Sequence, residues 1–375
     1  MAQAALGVSP APCETFGRDA SSCRALRIVA PWLSLRPAPI VMPLALFLFL
    51  FSAVAIYAAC EFFVNGVEWV GYRLNLGATA VGTLLAAFGT ALPESAVTFV
   101  AVVFGSTPGQ KDIGVGAALG GPLVLATLAY AVVGLAVWRR SGRAGGDRRV
   151  MAVNQQRLAR DQAWFMAIFV AKVALGVLVF SWKPWLGLLF LLAYGCYVKR
   201  ELAVSEGAAD AQALEPLKLR PHDSSPGMSW ALVQTLLALL VIAVASHVFV
   251  QQIEAIGIWA GASPHITALL LSPVATELPE IMNALIWVRQ GKERLALANI
   301  SGAMMIQATI PSSLAIFMTP WHLDTPLLTA AAMTMLSIGF LWISLRRGAM
   351  RVAPLATVGL AYLAFIGFVL VYFGV

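Results

Sequence analysis

The chain has 375 residues, of which 60% are hydrophobic and only 11% are charged, and its formal net charge is +7. Its apolar runs are too long and too numerous for the core of a soluble protein, so the composition excludes that class and predicts a polytopic membrane protein. The basic residues lie between the apolar runs, which favours a role in membrane topology over binding to nucleic acid.

The chain begins with residues 1–40, which mix Arg, Pro, Ser and Ala without periodicity and which we expect to form a disordered tail. Met42 is an alternative start of translation, in which case this tail is not made. Apolar windows of about 20 residues, enough to cross a bilayer as a helix, then follow ten times. They lie near residues 41–64, 78–105, 113–138, 163–182, 184–200, 229–252, 264–288, 295–318, 324–345 and 352–374.

The loops between these spans divide by charge. One side carries the arginine-rich segment from Arg139 to Arg160 and the pair Lys199 and Arg200, whereas the loops of the other side carry few basic residues. The positive-inside rule makes the basic side cytoplasmic, which places both termini outside.

One hexapeptide pattern occurs twice, each time within an apolar span. It reads Gly-Thr-Ala-Leu-Pro-Glu at 89–94 and Ala-Thr-Glu-Leu-Pro-Glu at 275–280. A carboxylate at such depth in a membrane is costly and usually functional. A proline interrupts the hydrogen bonds of a helix, which is tolerated where the backbone lines a cavity. Two such interruptions at matching places indicate the midplane binding site of a transporter.

The hexapeptide is part of a longer internal repeat. Glu94 and Glu280 are 186 residues apart, and the same spacing relates Glu68 to Glu254. Each half contains five spans, an odd number, so the second half enters the membrane from the opposite side. We therefore expect an all-α fold of ten transmembrane helices in two inverted five-helix repeats. The segments are the tail at 1–40, the first repeat at 41–200, a cytoplasmic linker at 201–228 and the second repeat at 229–375.

These residues resemble the membrane region of the sodium/calcium exchanger family, in which each repeat has a Gly-Thr-Ser-Leu-Pro-Glu helix followed by a glycine-rich polar helix. The second element is similar at 112–121 and 297–303. The resemblance implies interlocked repeats, a bacterial inner-membrane location and a calcium ion held by two motif glutamates and by the backbone carbonyls of two motif threonines. In this chain those residues are Glu94, Glu280, Thr90 and Thr276.

The chemistry of the motif also favours a calcium site. Calcium is a hard cation that takes oxygen ligands, and two carboxylates neutralise its charge. The alternative for Glu94 and Glu280 is a structural role, as capping or paired carboxylates within the bundle.

The chain departs from the family pattern at the sodium ligands. The motif serine is Ala91 in the first copy and Glu277 in the second, and the serine of the second element is Gly121 in the first copy. Polar residues of that element persist mainly in the second copy, where Asn299 and Gln307 are further candidate metal ligands. The sodium sites that the resemblance implies are therefore depleted.

Glu277 adds a carboxylate three residues before Glu280, so an intact helix would put both on one face, where Glu94 could join them. Like charges in a low-dielectric site do not all ionise, and such a group would share protons. This favours protons as the counter-ion. The alternative is that Glu277 repositions one ligand or faces a water-filled vestibule.

Other features of the spans have simpler interpretations. The symmetric pair Glu68 and Glu254 is interpreted as interfacial charge, with ion entry as the alternative. Lys172 and His265 lie near predicted span ends and are expected to extend toward the membrane surface. The glycines within 114–121 give the third span a small face that allows close helix packing.

We therefore expect a cation antiporter that exchanges calcium or another divalent cation for sodium or protons by alternating access. Its partners would be the lipid bilayer and inorganic cations, with no nucleic acid, protein partner or resident cofactor. One alternative is a membrane sensor or scaffold that keeps the fold without transport. An intramembrane enzyme is disfavoured because no second type of catalytic residue accompanies the carboxylates.

Overall fold

The computed structural model describes residues 41–74, 91–143, 155–205, 215–223, 225–289, 291, 293–347 and 352–373. The tail at 1–40 lies outside the described residues, and the contacts discussed below lie within 45–375. The helices are α1 (Val41–Arg73), α2 (Ala91–Phe104), α3 (Pro108–Val124 and Tyr130–Arg143, joined by a π-helical turn at Leu125–Ala129), α4 (Gln155–Val177), α5 (Gly187–Ser205), α6 (Met228–Ala260), α7 (Pro264–Thr276), α8 (Leu278–Arg289), α9 (Glu293–Met318), α10 (Thr325–Arg346) and α11 (Val352–Thr357 and Gly359–Phe373).

The described part of the chain is helical, without β-strands, as the composition predicts. Six of its helices, α1, α3, α6, α9, α10 and α11, are long and apolar enough to cross a membrane, and α2 is apolar but shorter. The fold is therefore that of an all-α polytopic membrane protein. The count of ten spans and the inverted orientation of the two halves remain predictions.

The span predicted at 264–288 is broken into α7 and α8 at Glu277. Pro279 is the second residue of α8, where its missing N–H costs nothing because the first N–H groups of a helix have no partner in the helix. Glu280 follows in the first turn of α8, where unpaired N–H groups favour a negative charge. The Leu-Pro-Glu sequence therefore starts a new helix inside the bundle and puts a carboxylate at its first turn.

Helices α3 and α9 form the centre of the bundle. Their membrane-length windows are 78% buried, whereas those of α1 and α6 are 33% buried. Large apolar side chains on the outer faces of α1 and α6, such as Phe51 and Leu240, are exposed, as expected for surfaces that contact lipid. The second element of each repeat thus lies on the two most buried of the six membrane-length helices that the structure describes.

Helix α3 packs on α7 through glycine, and the small face predicted for this span is confirmed. A Cβ atom at Gly116 would lie 2.0 Å from the backbone oxygen of His265, and one at Gly120 would lie 2.7 Å from that of Leu269. Only residues without a side chain allow the two backbones to approach so closely. A helix of the first half is therefore in direct contact with a helix of the second half.

Part of the linker packs against the ends of α1 and α6. Leu217 is buried between Trp69 and Ala231, and the backbone around it accepts hydrogen bonds from side chains of α1. Asn65 Nδ2 donates to the carbonyls of Glu215 and Pro216, and Asn65 Oδ1 accepts from the Lys218 amide. The described part of this polar segment is thus held to both halves.

Candidate ion-binding site

Three carboxylates are buried near one another in the interior of the bundle, one on α2 and two at the break between α7 and α8. Glu94, Glu277 and Glu280 each expose 1% or less of their surface. Glu277 occupies the break itself, and Glu280 lies beyond it, so the two do not share the continuous helix face expected from their spacing. The three side chains still lie close enough to repel one another electrostatically.

Thr276 joins the two copies of the motif. Its hydroxyl lies 2.6 Å from Glu94 Oε2 and 3.3 Å from Glu277 Oε1, within hydrogen-bond distance of both carboxylates. Glu277 Oε1 also accepts a 2.7 Å hydrogen bond from Gln307 Nε2 on α9. One hydroxyl and one amide therefore hold two carboxylates of different helices in fixed positions.

Other carboxylate oxygens of the same residues have no hydrogen-bond partner among the described residues. These are Glu94 Oε1, Glu277 Oε2 and both oxygens of Glu280. A buried, unsatisfied carboxylate oxygen is costly, and a bound cation or proton removes that cost. The donor set is entirely oxygen, which suits a hard cation such as calcium or sodium.

The three carboxylates do not surround one point. Within the described residues, no group of three or more Asp, Glu, His or Cys side chains is close enough together to hold a metal ion. A convergence of all three on one ion is therefore absent from this conformation. A cation held here would be bound by fewer carboxylates together with neutral oxygens.

The remaining predicted ligands are Thr90, Gln307 and Asn299. Thr90 lies outside the described residues. Gln307 reaches the site through Glu277, as its position in the repeat predicts. Asn299 lies on the same helix, but its Nδ2 is buried without a hydrogen-bond partner among the described residues, and it makes no described contact with the carboxylates.

Gly121 explains how the site accommodates Glu277. A Cβ atom at this position would lie 2.7 Å from Gln307 Oε1 and 3.0 Å from Glu277 Oε1. The serine that the family pattern has here would therefore collide with the Glu277–Gln307 pair. The carboxylate at position 277 therefore requires the absence of a side chain at position 121.

The expectation that Lys172 extends toward the membrane surface is wrong. Lys172 lies on α4, is fully buried, and donates hydrogen bonds to the Ala118 carbonyl at 2.9 Å and to Ser312 Oγ at 3.0 Å. It also lies close enough to Glu94 for the two side chains to attract each other when both are charged. This residue belongs to the surroundings of the site. A charged residue well inside an apolar segment was the sequence signal for it.

Glu254 has a structural role at the end of the bundle. Its two carboxylate oxygens accept hydrogen bonds from the Thr107 hydroxyl at 2.7 Å and from Gln110 Nε2 at 2.8 Å. Thr107 is the N-cap of α3, so Glu254 fixes the start of that helix from α6. This contact favours the interfacial interpretation over ion entry.

A family model described as "Sodium/calcium exchanger protein" matches residues 44–200 and 230–373. Among curated relatives, the inner membrane protein YrbG of Escherichia coli (strain K12) is 27% identical over 249 residues, covering 65% of this chain and 70% of that protein. The putative antiporter CaxA of Alkalimonas amylolytica is 23% identical over 327 residues, covering 85% of this chain and 95% of that protein.

Solved structures share the fold. The crystal structure of the H+/Ca2+ exchanger CAX matches with a TM-score of 0.64 and 17% identity, covering 93% of this chain and 86% of that one. A structure of the sodium-calcium exchanger NCX_Mj matches with a TM-score of 0.52 and 17% identity, covering 87% of this chain and 99% of that one. At these identities the likeness concerns the fold alone.

Proposed function

The chain belongs to the sodium/calcium exchanger protein family, and from this premise we propose that it exchanges calcium or another divalent cation for protons by alternating access. Family and fold are those of antiporters, integral membrane proteins that carry cations without catalysing a reaction. The identity of the ions and the roles of individual residues are proposed here. We also propose ten spans in two inverted repeats, an inner-membrane location and termini that face outward.

The observation that carries the proposal is the set of four unpartnered carboxylate oxygens on Glu94, Glu277 and Glu280. Nothing in a purely structural role requires these oxygens to be buried without donors. A divalent cation bound by Glu94 and Glu280 would satisfy both carboxylates, and carbonyls around the motif threonines would complete its oxygen shell. Protons would satisfy the same oxygens in the absence of the cation.

Glu277 supports protons as the counter-ion. It stands where the family pattern has a serine, and it adds a negative charge next to Glu94 and Glu280. Three buried carboxylates repel one another, so loss of a divalent cation is compensated by protonation of one or more of them. Glu277 keeps one oxygen bonded to Gln307 and the other free, which allows a proton to bind without breaking the network.

The relatives differ in the counter-ion that their names give. One fold neighbour is described as an H+/Ca2+ exchanger and another as a sodium-calcium exchanger. The depletion of polar ligands at Ala91 and Gly121 disfavours sodium, and the carboxylate at Glu277 favours protons. We therefore propose that protons are the counter-ion in this chain as well.

The experiment is calcium uptake into proteoliposomes under an imposed pH gradient or an imposed sodium gradient. Wild type should take up calcium when the pH gradient is present and should ignore sodium. Glu94→Gln should abolish uptake because it removes a proposed ligand. Glu277→Ser restores the serine of the family pattern and should abolish the response to pH.

A matched control is Glu68→Gln, which removes another carboxylate of the helical repeat at a site distant in sequence from the motif. Its uptake should equal that of wild type. Uptake driven by sodium alone would contradict the proton proposal while leaving the antiporter intact. An absence of flux for calcium and for other divalent cations, in a folded protein, would favour the non-transporting sensor or scaffold.

A further inference from the structure

Lys172 lies in the interior of the bundle, in a cage that consists of one backbone carbonyl, one hydroxyl and one aromatic ring. Its ammonium donates to the Ala118 carbonyl on α3 and to Ser312 Oγ on α9, and it lies 4.5 Å from the centre of the Phe169 ring. The side chain is fully buried. A carbonyl, a hydroxyl and an aromatic face are groups that attract a small monovalent cation.

Two prolines leave backbone carbonyls around Lys172 without their usual partners in the helix. The Ala118 carbonyl would normally accept from the N–H four residues later, but that residue is Pro122, which has none. Pro311 leaves the Gln307 carbonyl free in the same way, and the Ser312 hydroxyl donates to that carbonyl at 3.1 Å. The lysine therefore occupies a gap in the hydrogen bonding of two helices.

The cage is connected to the carboxylates. Gln307 contacts Glu277 through its side-chain amide, and its backbone carbonyl leads through Ser312 to Lys172. The Lys172 ammonium and the Glu94 carboxylate attract each other across the interior. An unpaired charge in the bilayer interior is costly, and a negative charge on the carboxylates would offset the cost of a positive charge at Lys172.

We propose that Lys172 is a tethered cation that fills a monovalent-cation position beside the carboxylate site. Its ammonium would supply one positive charge that stays in the protein, so that one fewer cation has to enter or leave in each cycle. The expected effect on the ion stoichiometry rests on the proposed antiport. The expected effect on cation binding at this position does not depend on transport.

The first test replaces the side chain and asks whether a free cation takes its place. Lys172→Ser removes the ammonium, leaves room in the cage and adds a hydroxyl. The purified variant should gain a saturable upward shift of its Tm with sodium chloride, beyond any shift that wild type shows, and choline chloride at equal ionic strength should not produce it. Lys172→Met fills the volume and should show no such gain.

Lys183 provides the matched control. Its ammonium is also buried and donates to two carbonyls, those of Leu178 and Trp321, but it has no described electrostatic contact with the carboxylates. Lys183→Ser should therefore show no sodium-specific gain in Tm. An equal sodium effect in both serine variants, or none in Lys172→Ser, would overturn the tethered cation and leave Lys172 a structural hydrogen-bond donor.

The second test covers the case in which Lys172→Ser does not fold. Lys172→Met keeps the volume, so the charge that the ammonium supplied would have to come from an extra proton on the carboxylates. In proteoliposomes this variant should therefore move one more proton per calcium than wild type, measured from the voltage at which net calcium flux reverses. An unchanged stoichiometry in Lys172→Met would reject the proposal. If wild type transports no divalent cation, the proposed antiport fails, whereas the Tm comparison still decides the role of Lys172.

Discussion

The hydroxyl of Thr276 donates a 2.6 Å hydrogen bond to Glu94 Oε2, so the second copy of the repeated motif directly contacts the carboxylate of the first. The two residues are 182 positions apart, and both are buried. The same hydroxyl is 3.3 Å from Glu277 Oε1. The side chain of Thr276 therefore takes part in organising the site.

Thr276→Val tests this contact. Valine keeps the shape of threonine but cannot donate to Glu94, so the carboxylate loses this 2.6 Å hydrogen bond. We expect divalent-cation binding, measured by calorimetry on the purified protein, to weaken by roughly 10- to 100-fold, the range for loss of a hydrogen bond to a charged group. Thr276→Ser keeps the hydroxyl and should stay within about threefold of wild type. Equal losses in both variants would mean that packing, rather than the hydroxyl, matters.

Features of the fold and of the site were predictable from the sequence where a single local rule determines them. Leu-Pro-Glu within an apolar span identifies a helix start and a buried carboxylate, and the structure breaks the span predicted at 264–288 at the second copy of that motif. The glycine face of α3 was predictable because small residues in a membrane helix serve close packing. The all-helical class followed from the length of the apolar runs.

Features that depend on three-dimensional proximity could not be predicted. The position of Lys172 depends on the register of α4 against α3 and α9, which no local pattern encodes. The prolines at 122 and 311 each indicate a free carbonyl, but not which side chain reaches it. The exclusion of a side chain at Gly121 by Gln307 and Glu277 likewise arises only after the helices are assembled.

Gly121→Ser restores a residue of the family pattern and should damage this protein. The new Cβ would lie 2.7 Å from Gln307 Oε1, so the amide must shift, and we expect its hydrogen bond to Glu277 to break. We expect the response of calcium uptake to the pH gradient to fall at least tenfold, because about 1.5–3 kcal/mol is lost with a hydrogen bond to a charged group. Gly302→Ser is the control, since a Cβ there meets nothing within 4 Å. Unchanged uptake in Gly121→Ser would show that the Gln307–Glu277 contact is dispensable.

Gly116→Ala should destabilise the whole bundle. Its Cβ would lie 2.0 Å from the His265 backbone oxygen, and a backbone atom can move aside only if α3 and α7 separate. Overpacking of this kind costs about 1–3 kcal/mol, so the Tm in detergent should fall clearly. Gly195→Ala, on α5, meets no atom within 4 Å and should leave the Tm unchanged or raise it slightly, because alanine favours helix by about 1 kcal/mol. Similar Tm values for the two variants would refute the close contact of α3 with α7.

Asn65→Leu should release the linker from the bundle. Asn65 donates to the carbonyls of Glu215 and Pro216, and its Oδ1 accepts from the Lys218 amide and from Gln234 Nε2. Leucine has nearly the same size but makes none of these bonds, so the backbone around Lys218 should become a substrate for trypsin, which cleaves after lysine. We expect cleavage at this position to be at least tenfold faster than in wild type, measured by mass spectrometry of timed digests, because proteolysis follows the population of the locally open state. Ser52→Ala, which removes a hydrogen bond internal to α1, is the control and should digest like wild type. Equal cleavage rates in all three proteins would mean that the packing of Leu217 against Trp69, rather than the Asn65 hydrogen bonds, holds the linker in place.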